Sequence, residues 1–333
     1  MKKLLCFIFA CVLSLSAITF VGCKGDDDTK IRVNEVTHSI FYAPFYVAIE
    51  KGYFKDEGLE IELTNGGGSD ASMTALLSGA AEVILAGPET AVYTAIGKPK
   101  DCPVIFAQLT KRDGSLLMGR VKEENFEWKN LNGKEIIAGR RGGSPAMSLE
   151  YALNKNELFN GKNVTLNFDV QFSLTAAAFE GGTGDYVTMF EPTASEYVRA
   201  GKAHIIASVG QESGEVPFTC FMTKRDYYDK KNKNIEKFTR ALYKAIKYIK
   251  TESTETVAEF LKKQFPSASD ISVKDSLETY KRIDAWTENM SMKKDAYNRL
   301  LDVMTNAGEL KERVEYDTLV DTLVSDKLYA EIF

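Results

Sequence analysis

The stretch SIFYAPFYVAIEKGYFKDEGLEIEL, residues 39–63, decides how this chain folds. A short apolar strand, Ile31 to Val36, leads into it, and an aromatic loop follows. Ala43 and Pro44 open a helix, since a proline's missing N–H does no harm in a first turn. Phe45, Ala48 and Ile49 recur at helical spacing, and Gly52 lets the helix end before Tyr53 and Phe54. Asp56, Glu57 and Gly58 then turn the chain into a second strand, where Leu59, Ile61 and Leu63 alternate with Glu60 and Glu62. Strand, helix and strand make a right-handed βαβ unit. Its loop of aromatics, expected to be exposed, falls at the carboxyl end of the first strand. In open α/β sheets ligands bind at that end.

Working outward, the same grammar repeats. Thr64-Asn65-Gly66-Gly67-Gly68-Ser69 is a glycine-rich loop entering a helix from Asp70 to Gly79. It offers free backbone N–H groups but lacks the Lys and hydroxyl residue of a nucleotide P-loop, which excludes phosphate-transfer chemistry. Glu82 to Ala86 reads as a buried strand, and Gly87-Pro88-Glu89-Thr90 starts the next helix. Strands at Pro103 to Thr110 and Ser115 to Val121 follow. From Lys122 the pattern restarts. Lys134 to Ala138 is a strand; Ser144, as N-cap, and Pro145 begin a helix. Val164 to Val170, Asp185 to Phe190, His204 to Val209 and Phe218 to Thr223 complete a second strand set, with Glu191-Pro192 opening another helix. Beyond Lys224 the chain turns helical. Ile235, Phe238, Leu242 and Ile249 mark an apolar face opposite a solvated lysine face, and a helix is expected from Val273 to Asn289.

The organisation expected is α/β with two lobes, each a mostly parallel sheet flanked by helices. Residues 31–120 and 224–333 form the first lobe and 121–223 the second. The two crossings, near 118–123 and 221–225, make a two-segment hinge suited to closing on a small molecule. Upstream, Lys2 and Lys3 precede an apolar run from Leu4 to Phe20, too short for a lasting membrane span. Residues 1–22 read as a signal peptide and 23–30 as a polar tether. Val21-Gly22-Cys23 resembles a bacterial lipoprotein site, with Phe20 where a Leu is usual, so Cys23 is the expected acylated N-terminus. Only Cys102 and Cys220 then remain, too few for a disulfide framework. With 42 basic and 47 acidic residues and no basic stripe, nucleic acid is not an expected partner. His38 and His204 have no companions at metal spacing, so no metal or other cofactor is expected.

APFYVAIEKGYFKDEGLEIEL, the GGGSD loop, LLSGAAEVILAGPETAVY and FEPTA together resemble one family, over roughly residues 31–265. It is that of ABC-importer solute-binding proteins for aliphatic sulfonates, nitrate and taurine, and for thiamine pyrimidine precursors. The resemblance implies a type II periplasmic-binding-protein fold, a small-molecule solute, and delivery to a permease and its ATPase. With the lipoprotein-like site at Cys23, the expectation is a monomeric receptor outside the cytoplasm, held to the membrane by its lipid anchor. One branch of the family, the fungal pyrimidine synthases, is catalytic. Its reactive histidine matches Glu89 here, and its cysteine run matches Val216 to Cys220 with one thiol. No nucleophile–base pair stands out either, so the expectation is a non-enzyme. A signalling receptor, read by a sensor instead of a permease, stays open.

Turns at strand carboxyl ends should line the cleft. The first lobe offers Phe41, Tyr42, Ala43 and Phe45, then Gly67, Gly68 and Ser69, then Glu89 and Thr90. The second offers Arg140, Gly142, Gly143 and Ser144, then Phe190 and Glu191, with Phe218 or Thr219 at the hinge. Phe45 serves equally well as a core residue, and Glu89 suits a helix dipole alone. An anion would want helix N-termini and an arginine without carboxylates nearby. A heteroaromatic ring would stack on Phe41 or Tyr42 and donate amino hydrogens to a carboxylate. Two cleft glutamates favour the ring, and Glu191→Ala is expected to weaken it roughly tenfold.

Overall fold

The computed structural model describes residues 29–333. The expected leader 1–22, Cys23 and residues 24–28 of the tether lie outside the described residues. Four strands come first: β1 (Lys30–Glu35), β2 (Glu60–Asn65), β3 (Val83–Ala86) and β4 (Pro103–Thr110). Five more follow: β5 (Leu116–Gly119), β6 (Glu135–Ile137), β7 (Thr165–Asn167), β8 (Tyr186–Met189) and β9 (His204–Ser208). The chain then returns as β10 (Thr219–Lys224). The two five-stranded sheets have the orders β2-β1-β3-β10-β4 and β7-β6-β8-β5-β9. β1 runs parallel to β2 and β3, and β6 parallel to β7 and β8. Only β10 and β5 are reversed against their neighbours.

Those reversals follow from the crossings. A chain that leaves one sheet at the cleft edge reaches the other sheet at its cleft edge, and must run away from it. The entering strand is therefore antiparallel to strands that end there. This corrects the expected boundaries. β5 belongs to the second sheet and β10 to the first, so the crossings are residues 111–115 and 214–218, not 118–123 and 221–225. A continuous apolar run such as Leu116-Leu117-Met118 does not say which sheet owns it.

The helices that position the site are α1 (Ala43–Glu50), α2 (Ser69–Ser78), α3 (Glu89–Gly97), α4 (Ser144–Lys155) and α5 (Thr193–Arg199). The returning chain adds α6 (Asn232–Thr251), α7 (Thr254–Gln264) and α8 (Asp270–Arg282). Ser144 is not the N-cap of α4. Gly143 is, and Ser144 enters the helix as its first residue with its hydroxyl used elsewhere. The apolar face of α6 is buried as expected, at Ile235, Phe238, Leu242 and Ile249. Its lysines are not all free in solvent: Lys244 pairs with Glu57 at 2.6 Å and Lys250 with Glu288 at 2.7 Å. α8 stops at Arg282, short of the expected Asn289, because Asp284 enters the left-handed region at φ 55°. The strand-like residues beyond it brace the hinge. Thr110 bridges Trp286, and Lys111 N donates to Ala285 O at 2.9 Å.

Packing also corrects the aromatic loop, which is covered rather than exposed. Phe41 is fully buried, with ring centroids of Tyr280, Phe190 and Phe218 at 5.0, 5.6 and 5.7 Å. Trp286 Nε1 donates to Phe41 O at 2.8 Å. Gly114 in the first crossing permits this approach, since a Cβ there would meet the Phe41 ring at 2.5 Å.

Asp113, in the same crossing, is buried; its Oδ1 accepts from Ser115 N at 2.6 Å, and its Oδ2 has no hydrogen-bond partner. Burial pushes the carboxyl from its ordinary 3.8 up to about 7, against the pull of its bonds to Ser115. The folded chain therefore binds this proton more tightly than the unfolded chain. Stability from this group falls as pH rises between those two values. Asp113→Asn should flatten that slope and raise the urea midpoint at about pH 8 while sparing it at about pH 4. Equal destabilisation at both would contradict the assignment.

Candidate functional site

Between the sheets lies a cavity of about 460 Å³, of a size for a small organic molecule. Each wall is a loop at the carboxyl end of a parallel strand. β1 supplies Val36, Thr37, Ser39 and Tyr42; β2 supplies Gly67, Gly68 and Ser69; β3 supplies Gly87 and Glu89. From the second lobe, β6 supplies residues 138–140 and 143–146, β7 supplies 168–173, and β8 supplies Phe190. Phe218 and Thr219 enter at the amino end of the reversed β10. Among the expected residues, Tyr42, Gly67, Gly68, Ser69, Glu89, Arg140, Gly143, Ser144, Phe190 and Thr219 thus come together.

The others do not line it. Phe41 and Ala43 are packed behind the wall, and Phe45 faces the core of the first lobe beside Phe221 and Phe238. Thr90 turns its hydroxyl to Gly87 O at 2.7 Å. Gly142 spends its carbonyl on the Tyr93 hydroxyl at 2.9 Å. Glu191 is the chief correction. Its buried carboxylate accepts from Ser195 N at 2.9 Å and Ser195 Oγ at 2.7 Å, holding the first turn of α5, and it is not among the residues that line the cavity. The 168–173 segment was not foreseen. Reading residues 164–170 as one strand hid a loop that the rule of strand carboxyl ends would have flagged.

The lobes meet across this cavity. Ser144 Oγ donates to Glu89 Oε2 at 2.6 Å, and Arg140 pairs with Asp70 at 3.2 Å. Ser39 Oγ donates to Glu191 O at 2.9 Å, and Tyr280 OH accepts from Glu191 N at 2.9 Å. At the rim Arg199 pairs with Asp275 at 2.6 Å. These contacts describe a closed arrangement. Glu89 is its most chemically loaded residue, because it is buried yet lines the cavity. Its carboxylate folds back over Gly87, where a Cβ would lie 2.0 Å from Oε2, so only glycine admits this pose. Burial pushes the Glu89 carboxyl upward, opposed by the Ser144 hydroxyl and the Arg140 guanidinium. Rings of Tyr42, Phe168, Phe172, Phe190 and Phe218 line the same cavity, and Arg141 stacks on Phe168 at 4.1 Å. Among the described residues no group of three His, Cys, Asp or Glu could hold a metal.

The model of the NMT1/THI5-like family matches residues 40–256, most of both lobes. The chain is also 39% identical over 325 residues to a candidate binding protein of Bacillus subtilis, YtlA, covering 97% of each chain. The chain belongs to the NMT1/THI5-like family. Solved structures show how widely its fold recurs. The alkanesulfonate-binding protein SsuA of Xanthomonas axonopodis pv. citri, bound to MOPS, superposes with a TM-score of 0.72 at 15% identity, covering 88% of this NMT1/THI5-like chain and 98% of SsuA. The periplasmic nitrate-binding protein NrtA of Synechocystis PCC 6803 gives 0.69 at 15%, covering 91% and 89%. The fold of this NMT1/THI5-like chain is therefore that of the periplasmic binding proteins. Glu89 and Glu191, both glutamates of the expected cleft, occupy different environments within it.

Proposed function

We propose that this chain is the solute receptor of an ABC importer, anchored outside the cytoplasm through an acylated Cys23, and that it binds without catalysing. Its solute is a small amino-bearing heteroaromatic, of which a thiamine pyrimidine precursor is the favoured example. The observation that carries this reading is a buried carboxylate, Glu89, in an aromatic-walled cavity between closed lobes. A carboxylate there can accept amino hydrogens while the rings stack on the heterocycle. The arginine an anion would need, Arg140, is already paired with Asp70 at the half-exposed rim. Family membership and the shared fold support the receptor role. Glu89 in place of the catalytic branch's histidine supports binding over turnover.

A second reading, an anion receptor, is favoured by the starts of α2 and α4, whose first residues Ser69 and Ser144 both line the cavity. It is also the ligand class named for SsuA and NrtA. The two are separated by native mass spectrometry of the purified protein, followed by a thermal-shift panel of hydroxymethylpyrimidine, alkanesulfonates and nitrate. A solute at 100 times its Kd should stabilise the protein by about 2.7 kcal/mol. Hydroxymethylpyrimidine is expected to shift the transition and the anions to leave it in place. The reverse pattern would transfer the proposal to the anions. Cys23→Ser is expected to release the protein from the membrane fraction, and its retention there would remove the anchor.

A further inference from the structure

His38 stands three residues beyond β1, inside the loop that forms one wall of the cavity. Its Nδ1 lies 2.7 Å from Glu35 Oε1 and its Nε2 lies 3.0 Å from Gln264 O. Both partners are acceptors: a carboxylate and a peptide carbonyl. A neutral imidazole carries one N–H and can satisfy only one of them, whereas the imidazolium satisfies both. The ring also stacks on Phe265 at 4.5 Å, a favourable seat for a cation. Glu35 is nearly fully buried, and its other oxygen accepts from the Tyr46 hydroxyl at 2.5 Å. Tyr46 OH in turn accepts from Ser39 N at 3.3 Å, and Ser39 Oγ reaches the second lobe at Glu191 O. Hydrogen bonds through Glu35 and Tyr46 therefore link His38 to Ser39, whose hydroxyl makes a contact between the lobes.

We propose that His38 is a positioning residue for the cleft: an imidazolium pinned between Glu35 and Gln264, whose proton holds the 36–39 wall where Ser39 can bind the closing lobe. This deepens the solute-receptor reading and rests on it. The groups facing the ring are few. Glu35 comes from β1 and Tyr46 from α1. One bond further out stands the ion pair of Glu50, from α1, and Lys263, from α7, joined through Gln264 Nε2, which donates to Glu50 at 2.5 Å. The bonds to Glu35 and Gln264 raise the imidazole's affinity for its proton above ordinary, against the opposing effect of burial. A raised folded-state value gives a contribution that is fully present below about pH 6.5 and is lost as pH rises through the folded value. The wall should loosen, and solute affinity fall, in that direction.

His38 and His204 are the two histidines of the chain, so His204→Gln isolates the ring by imidazole NMR. Both ring nitrogens should carry protons at about pH 6, with a midpoint above the ordinary ~6.5, and Glu35→Gln should lower that midpoint. Hydrogen exchange of residues 36–42, corrected for intrinsic rates, should lose about tenfold in protection between about pH 6 and 8.5, the scale of one charge-assisted bond. His38→Gln should be flat across the same range. Affinity for hydroxymethylpyrimidine should follow the same pH course in the parent and not in His38→Gln. A ring with a single proton at about pH 6, or wall protection that ignores the ring's titration, overturns the proposal. If no panel solute binds while the ring and wall titrate together, the solute reading falls and the role of His38 in the wall stands.

Discussion

Phe45→Ala should lower the unfolding free energy by about 3–5 kcal/mol, the range for emptying an aromatic site in a packed core. Phe45 is fully buried and meets Phe54 at 5.9 Å, Phe221 at 5.4 Å and Phe238 at 6.3 Å. Those partners come from the opening βαβ unit, from the strand that returns across the hinge, and from α6. The residue thus fastens three separate stretches of chain. The aromatic neighbours are themselves interlocked, with Phe221 and Phe238 at 5.2 Å, so the site has little freedom to collapse into the void. Urea titration should show a lower midpoint at an unchanged slope. Because Phe45 does not line the cavity, solute affinity per folded molecule should stay within about twofold, below what a lost hydrogen bond would cause. A variant of normal stability but impaired binding would return Phe45 to the cleft.

The two roles open to Phe45 in the sequence show where sequence reading works and where it stops. Helical spacing with Ile49 placed it on an inward face, and the packed core is that face. The βαβ unit, the loops at strand carboxyl ends and the two-lobed plan were legible, because each rests on local periodicity and turn chemistry. What was not legible depends on contacts between distant segments. Phe41 looks like an exposed loop aromatic until Trp286, Tyr280 and Gly114 are brought against it. The crossings were misplaced by a few residues because strand patterning carries no label for its sheet. The end of α8 depends on residues 284–287 pairing with the hinge, a partner 170 or more positions away in sequence. Glu191 was misjudged for a subtler reason. A glutamate before Pro192 at a strand end looks identical whether its carboxylate faces a ligand or turns back to its own helix. Ser195, four residues on, was the available signal.

Glu89→Gln should weaken binding of an amino-bearing heteroaromatic by roughly 10–100-fold, the loss of a charge-assisted bond of about 1.5–3 kcal/mol. The amide keeps the volume of the carboxylate and retains a carbonyl oxygen for the Ser144 hydroxyl, so the lobe-to-lobe contact survives the change. What is lost is the negative charge inside the cavity. For an anionic solute the same substitution acts with the opposite sign, since it removes a buried like charge and should tighten binding. The direction of the change therefore identifies the solute class without a structure of the complex. Glu191→Gln is the matched control. It makes the same chemical change on a buried carboxylate that does not line the cavity and is bonded to Ser195 N and Oγ. Isothermal titration should find solute affinity within about twofold of the parent, with the effect appearing instead as lost stability of about 0.5–2 kcal/mol from a weakened helix start. Equal losses of affinity in both variants would mean that the cavity charge is not what the solute reads, and that each glutamate acts only by holding the lobes shut.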